Sequence, residues 1–99
     1  MKLGVAIVGC GLIGIKRAET LDDMVLWVCV DVDPVKAEAL ASRFPGCRPM
    51  TDWRDAVNDK QVNVVIVSTP HNSLAEIAVG AIAAGCHVLV EKPAAPFMA

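Results

Sequence analysis

The feature that most constrains this chain is the glycine pattern of residues 9–14, "GCGLIG", which lies between two apolar runs. The pattern is G-x-G-x-x-G, with glycine at positions 9, 11 and 14. The preceding residues, "KLGVAIVG", are typical of a β-strand, and the following "LIGIKRAETL" carries apolar residues at helical spacing. The sequence therefore predicts a strand that turns on glycine into a helix.

Each residue of this turn has a physical role in holding a phosphate. Gly9 permits a tight turn, Gly11 lets the backbone approach a pyrophosphate without a Cβ in the way, and Gly14 allows close packing of the helix on the strand. The helix start, at Leu12 and Ile13, offers free N–H groups and the positive end of the helix dipole. We therefore assign these five residues to a predicted dinucleotide site.

An acidic residue follows at the position where such a site needs one. The second strand, "VLWVCV", ends on Asp31, whose carboxylate can accept hydrogen bonds from the ribose hydroxyls of the adenosine. A carboxylate repels a 2′-phosphate, and Val32, Asp33 and Pro34 supply no positive charge to attract one. The predicted cofactor is therefore NAD in preference to NADP.

A targeting sequence is the competing interpretation of the first residues. Lys2 and the uncharged run of residues 3–15 have the general character of a signal peptide. The run is shorter than the roughly 20 apolar residues that span a bilayer. It also leaves the second strand and its acid unexplained, so we favour the strand-turn-helix interpretation.

The remaining sequence alternates strands and helices. Helices are predicted in "VDPVKAEALASRF", "TDWRDAVND" and "SLAEIAVGAIAAG", and strands in "RPM", "VNVVIVST" and "CHVLVE". The first of these helices has Asp33 as a candidate cap and apolar residues at helical spacing, namely Val35, Ala39, Leu40 and Phe44. The second is capped by Thr51 or Asp52, and the third by Asn72 or Ser73. This alternation predicts one α/β domain over residues 1–99, a Rossmann-type doubly wound parallel sheet with strand order 3-2-1-4-5.

In such a sheet ligands bind beyond the carboxyl ends of the strands, where the strand order reverses. Here that crevice lies between strands one and four. It brings the glycine turn together with residues that end strands four and five. The residues predicted to line the cofactor crevice are Ser68, Thr69, Pro70, His71, Glu91, Lys92 and Pro93.

Charge and cysteine content exclude several other classes of protein. The net charge of −2 shows no basic excess, so nucleic acid and anionic membranes are not expected partners. Cys10, Cys29, Cys47 and Cys86 are widely scattered, without metal-ligand spacing or the density of a disulfide scaffold. We expect no metal site, and mostly buried thiols in a reducing compartment such as the cytoplasm. The glycine turn is expected to expose Cys10.

From "VSTP" to "GCHVLVEKPAA" the sequence resembles the N-terminal half of the Gfo/Idh/MocA family (glucose–fructose oxidoreductase, inositol dehydrogenase and MocA). The likeness covers essentially the whole chain, and "EKP" after a short apolar strand is its most specific motif. The resemblance implies an NAD(P)-dependent oxidoreductase acting on a hydroxyl of a sugar, cyclitol or related polyol. It implies that Lys92 lies beside the nicotinamide and the reacting hydroxyl as a catalytic residue, positioned by Glu91 and Pro93.

The resemblance also implies a second α/β domain that carries the substrate wall, the oligomer interface and the remaining catalytic residues. That domain is absent from this chain, which stops at "APFMA". We therefore expect the isolated chain to bind cofactor without turnover and the complete protein to be a homo-oligomer. Two alternatives stay open at this point. One is a dinucleotide-sensing or scaffold module without catalysis, and the other is an S-adenosylmethionine-dependent methyltransferase, which would ordinarily lack "STP" and "EKP".

Overall fold

The computed structural model describes residues 3–69 and 71–90. Strands and helices alternate along the chain. The five strands are β1 (Gly4–Val8), β2 (Val25–Val30), β3 (Arg48–Met50), β4 (Val64–Val67) and β5 (His87–Val90). The four helices are α1 (Leu12–Ala18), α2 (Pro34–Ala41), α3 (Trp53–Val57) and α4 (His71–Ala83).

The strands form a single parallel sheet in the order β3-β2-β1-β4-β5, which confirms the predicted topology. β1 lies at its centre, with Val8 opposite Val30 on one side and Val67 on the other. All five residues of β1 are buried. The apolar run that resembled a signal peptide therefore forms the central strand, whose lack of polar residues is explained by burial on both faces.

Helices cover both faces of the sheet and divide the core into two layers. On one face α1 and α2 pack over alternate strand residues, among them Ile7, Cys29 and Ile66. On the other face α3 and α4 pack over Ala6, Val28 and their neighbours. The alternation follows from the two-residue period of a strand, which sends successive side chains to opposite layers.

The buried faces of α1 and α2 differ from the faces that the spacing of apolar residues predicted. In α2, Val35 and Ala39 are exposed, whereas Ala37, Leu40 and Ala41 are buried. In α1, Leu12 is 83% exposed, and Gly14 and Ala18 form the buried side. Small residues make up most of the buried side of both helices, with Leu40 as the large buried residue of α2, whereas Leu12 and Val35 remain at the periphery.

The caps of two helices follow the predicted chemistry, and the third helix begins earlier than expected. The carboxylate of Asp33 accepts from the N–H of Val35, and that of Asp52 accepts from the N–H of Arg54. α4 begins at His71, so the prediction that Asn72 or Ser73 precedes the helix is wrong. The helix therefore already includes the polar residues Asn72 and Ser73 in its first turn.

Within the described part of the chain, no helix has both the length and the apolar character needed to cross a membrane. The longest, α4, has 13 residues.

The two faces of α2 give a matched pair of stability predictions. Leu40 is 2% exposed and Val35 is 71% exposed. Leu40→Ala should lower the free energy of unfolding by about 2–5 kcal/mol because it leaves a cavity beneath the helix. Val35→Ala should change it by less than about 0.5 kcal/mol. Urea unfolding followed by circular dichroism measures both, and equal losses would contradict the assigned helix face.

Candidate dinucleotide-binding site

The glycine turn leaves β1 through a backbone conformation that favours glycine. Gly9 has φ of +103°, and its N–H donates to the Val30 carbonyl at 2.7 Å. A Cβ at position 9 would lie 2.9 Å from the backbone of Ser68. Both the conformation and the space therefore require glycine, and the predicted role of this residue in the tight turn agrees with the geometry.

Gly14 sets the distance between α1 and the end of β1. A Cβ at this position would lie 2.0 Å from the Gly9 carbonyl oxygen, far inside van der Waals contact. The same oxygen accepts a hydrogen bond from the Ser68 hydroxyl at 2.8 Å. The Gly9 carbonyl is therefore in contact with both α1, at Gly14, and the residue that follows β4, Ser68.

Gly11 differs from the other two glycines because it faces open space. It precedes α1 as the N-cap residue, without a side-chain cap, and nothing lies within 4 Å of where its Cβ would be. The first N–H groups of a helix have no acceptor within the helix. In α1 these belong to Leu12, Ile13 and Gly14, and the bare backbone of Gly11 leaves them room to receive an anion.

Asp31 lies beside this turn, at the carboxyl end of β2. Its Oδ2 accepts from the N–H of Cys10 at 2.8 Å, and its Oδ1 accepts from the N–H of Asp33 at 2.9 Å. The carboxylate is therefore fixed in orientation. Each oxygen keeps a further lone pair with which to accept from a hydroxyl.

A cavity of about 850 Å³ extends along the carboxyl ends of the strands. Gly9, Gly11 and Asp31 line one part of it, and Ser68 and Thr69 line another. The Oγ1 of Thr69 is buried and has no hydrogen-bond partner among the described residues. A buried hydroxyl without a partner is costly in a folded protein and suggests a ligand that would satisfy it.

The open backbone at Gly11, the fixed carboxylate of Asp31 and the unsatisfied hydroxyl of Thr69 together fit a dinucleotide. Other side chains that the sequence did not single out for the site also line the cavity, among them Lys36, Trp53, Arg54 and Glu76. Lys36 could have been found from the helical period, because it lies in the first turn of α2, beside the end of β2.

Trp53 and Arg54 form one wall of the cavity from α3. The Arg54 guanidinium lies 4.8 Å from the centre of the Trp53 ring and 3.1 Å from the Glu76 carboxylate. The Trp53 ring also packs against Gly80 of α4, where a Cβ would lie 2.4 Å from it. Trp53 therefore packs between α3 and α4 as well as lining the cavity.

Several predicted site residues cannot be located in this structure. Pro70, Glu91, Lys92 and Pro93 lie outside the described residues, and of His71 only its position at the start of α4 is described. The expected exposure of Cys10 is wrong, since this residue is 3% exposed. Its thiol turns inward and donates to the Val30 carbonyl at 3.4 Å.

The fold and this crevice define a class of protein, the NAD-binding Rossmann domains. Residues 3–99 match the family described as "Oxidoreductase family, NAD-binding Rossmann fold". The chain belongs to this family, Gfo/Idh/MocA, as its N-terminal NAD-binding domain, which confirms the resemblance seen in the sequence.

Curated relatives include two sugar or cyclitol dehydrogenases. Levoglucosan dehydrogenase of Pseudarthrobacter phenanthrenivorans is 33% identical over 106 residues, which cover 94% of this chain and 27% of that protein. Inositol 2-dehydrogenase of Pseudarthrobacter chlorophenolicus is 33% identical over 98 residues, which cover 95% of this chain and 29% of that protein.

Solved structures of NAD-binding proteins also match this chain. GenD2 from gentamicin A biosynthesis, in complex with NAD, is 42% identical with a TM-score of 0.87, over 92% of this chain and 27% of that one. An NAD-binding oxidoreductase of Klebsiella pneumoniae is 33% identical with a TM-score of 0.82, over 93% of this chain and 27% of that one. The chain therefore spans between a quarter and a third of the length of these relatives.

Two glycine substitutions should distinguish a residue needed for folding of the site from a residue needed for cofactor binding. Gly14→Ala places a methyl against the Gly9 carbonyl and should lower the free energy of unfolding by about 2 kcal/mol or more. Gly11→Ala meets no atom of the protein and should cost less than about 1 kcal/mol. Gly11→Ala should nevertheless weaken NADH binding about 10–100-fold, because its methyl occupies the predicted phosphate position.

Urea unfolding and fluorescence titration with NADH measure the two effects on the same samples. Unchanged NADH affinity in a folded Gly11→Ala variant would contradict the assignment of the phosphate to this turn.

Proposed function

We propose that this chain is the cofactor-binding domain of an oxidoreductase that transfers hydride between NAD and a hydroxyl of a sugar, cyclitol or related polyol. The observation that carries the proposal is the open space over Gly11, at the start of α1 and beside the fixed carboxylate of Asp31. The levoglucosan and inositol dehydrogenases among the relatives support the substrate class. The nicotinamide supplies the hydride chemistry when bound, and the protein supplies position and proton handling.

Within the crevice each residue has a proposed task. The backbone of Gly9, Gly11 and the first turn of α1, at Leu12, Ile13 and Gly14, binds the pyrophosphate. Asp31 accepts from the adenosine ribose. The unsatisfied hydroxyl of Thr69 is free to bond the cofactor, next to Ser68, whose own hydroxyl is engaged with the Gly9 carbonyl. Pro70, His71, Glu91 and Pro93 complete the proposed cofactor-binding set by resemblance to the family.

NAD is the proposed cofactor in preference to NADP. A 2′-phosphate would face the Asp31 carboxylate, which two backbone N–H groups hold in place. Lys36 lines the same cavity, and its positive charge would attract a 2′-phosphate. Its side chain is, however, exposed and solvated. The fixed carboxylate therefore dominates the choice, because a solvated surface charge contributes little.

Lys92 is the proposed catalytic residue, by its match to the family's "EKP" motif. A lysine near a reacting hydroxyl can bind it and exchange its proton. An ammonium that is desolvated or that faces oxidised nicotinamide has a lowered pKa, which brings proton exchange nearer to working pH.

We further propose that residues 1–99 act with a second domain that carries the substrate wall and an interface for homo-oligomer assembly. The greater length of the relatives supports this arrangement. On this proposal the isolated chain binds cofactor without turnover.

A charge-removing substitution tests the cofactor preference. Asp31→Asn should weaken NADH binding and raise the affinity for NADPH relative to NADH about tenfold or more, since the repulsion of the 2′-phosphate is lost. Asp33→Asn is the matched control. Asp33 caps α2, asparagine caps a helix equally well, and both affinities should stay unchanged. Tighter binding of NADPH than of NADH by the unsubstituted protein would refute the preference.

A second substitution tests the catalytic lysine in the full-length protein. Lys92→Met should leave NADH affinity within about twofold and lower kcat with a polyol substrate by 10²-fold or more, as expected for loss of a general acid–base group (roughly 10²–10⁴). Lys60→Met, at an exposed lysine that precedes β4, is the control and should retain full turnover. Near-normal turnover by Lys92→Met would refute the catalytic role proposed for Lys92 and would leave the proposed cofactor site unaffected.

A further inference from the structure

Two cysteines that are 18 positions apart in the sequence come together in the core layer under α2. The Sγ atoms of Cys29 and Cys47 lie 3.3 Å apart. Cys29 is in β2 and is completely buried, whereas Cys47 lies just before β3 and is half-buried. Both belong to the core layer covered by α2.

We propose that Cys29 and Cys47 form a peroxide-sensitive dithiol, with Cys47 as the sulfur that is oxidised first and Cys29 as the sulfur that resolves it into a disulfide. A disulfide bond is about 2.05 Å long, so the two sulfurs need to approach by little more than 1 Å. Gly46, with φ of +82°, precedes Cys47 in a turn, so Cys47 lies in a loop rather than in the strand.

The division of roles follows from the surroundings of each thiol. The neighbouring thiols of Cys10 and Cys47, together with burial, raise the pKa of Cys29. The hydrogen bond from Cys29 lowers the pKa of Cys47, and the positive charge of Arg48 acts in the same direction, while burial opposes them. Cys47 is thus the better thiolate and the more accessible one, and thiolate character with access governs oxidation by peroxide.

Cys86 provides an internal comparison. It is also half-buried, but its thiol faces the carbonyls of Val57 and Val62, and burial raises its pKa. It therefore has similar exposure without the features that activate Cys47. A metal site is not an alternative for the thiol cluster, since no group of metal-ligating side chains with the required arrangement occurs in residues 3–69 and 71–90.

The chemistry balances with hydrogen peroxide as the oxidant. The Cys47 thiolate attacks one peroxide oxygen, the O–O bond breaks, and the departing hydroxide takes a proton and leaves as water. Cys47 is then a sulfenic acid. The Cys29 sulfur attacks the Cys47 sulfur, the S–O bond breaks, and the hydroxide leaves with the Cys29 proton as a second water. Two thiols are oxidised to one disulfide while one peroxide is reduced to two waters.

Mild oxidation of the native full-length protein tests the proposal. The protein is treated with a small molar excess of hydrogen peroxide, quenched with N-ethylmaleimide and digested without reduction for peptide mass mapping. We expect a cross-linked peptide pair that contains Cys29 and Cys47, lighter than its two thiol peptides by two hydrogens and separated by dithiothreitol. Cys86 should remain in its alkylated, reduced form.

Three variants assign the roles. Cys86→Ser is the matched control and should form the disulfide at the unsubstituted rate. Cys29→Ser should stop the reaction at the Cys47 sulfenic acid, which dimedone traps. Cys47→Ser should abolish the cross-link and leave Cys29 reduced. If a variant fails to fold, the alkylation rates of Cys47 and Cys86 in the unsubstituted protein still decide, with Cys47 expected to react about tenfold faster at neutral pH.

Three results would overturn the proposal. One is a disulfide between Cys10 and Cys29 in place of the expected pair. Another is oxidation of Cys86 before Cys47. The third is accumulation of a Cys47 sulfenic or sulfinic acid in the unsubstituted protein without any cross-link to Cys29.

Discussion

The contact between the backbone of Gly9 and that of Gly14 determines the geometry on which the rest of this domain depends. A carbonyl oxygen and a helical Cα approach so closely that no side chain fits between them. Because of this approach, α1 begins directly after the end of the central strand, next to the part of the crevice that Gly9 and Gly11 line. The Ser68 hydroxyl, bonded to the same carbonyl, adds β4 to the arrangement. Three chain segments thus converge at one peptide group.

Because β1 lies at the centre of the sheet, the contact between Gly9 and Gly14 lies where the strand order reverses. Because β2 pairs with one edge of β1 and β4 with the other, the chain leaves the sheet in opposite directions on the two sides. The crevice between those departures is a consequence of strand order, independent of any particular side chain. Side chains then give it chemical character: an anchored carboxylate at Asp31 on one side, and the hydroxyls of Ser68 and Thr69 on the other.

The sequence predicted the strands better than the helix faces. The bounds of β2, "VLWVCV", agree with the structure because a β-branched run that is buried on both faces has few other ways to fold. Val35 and Leu12 were misleading, since apolar spacing does not reveal which stripe of a short helix lies against the sheet. The approach of Cys29 to Cys47 depends on how the loop before β3 returns to β2, which no local pattern encodes. The catalytic role of Lys92 is a proposal that rests on resemblance to the family alone.

The hydrogen bond from the Cys10 amide to Asp31 links the structure of the glycine turn to the proposed choice of cofactor. The carboxylate that is proposed to accept from the ribose also ties the glycine turn to β2. An evolutionary change of cofactor preference at position 31 therefore carries a structural penalty unless the new residue can still accept from that amide. Asparagine keeps an acceptor oxygen at the same distance from the backbone, whereas alanine and glycine have none, so the glycine turn limits which residues can replace Asp31.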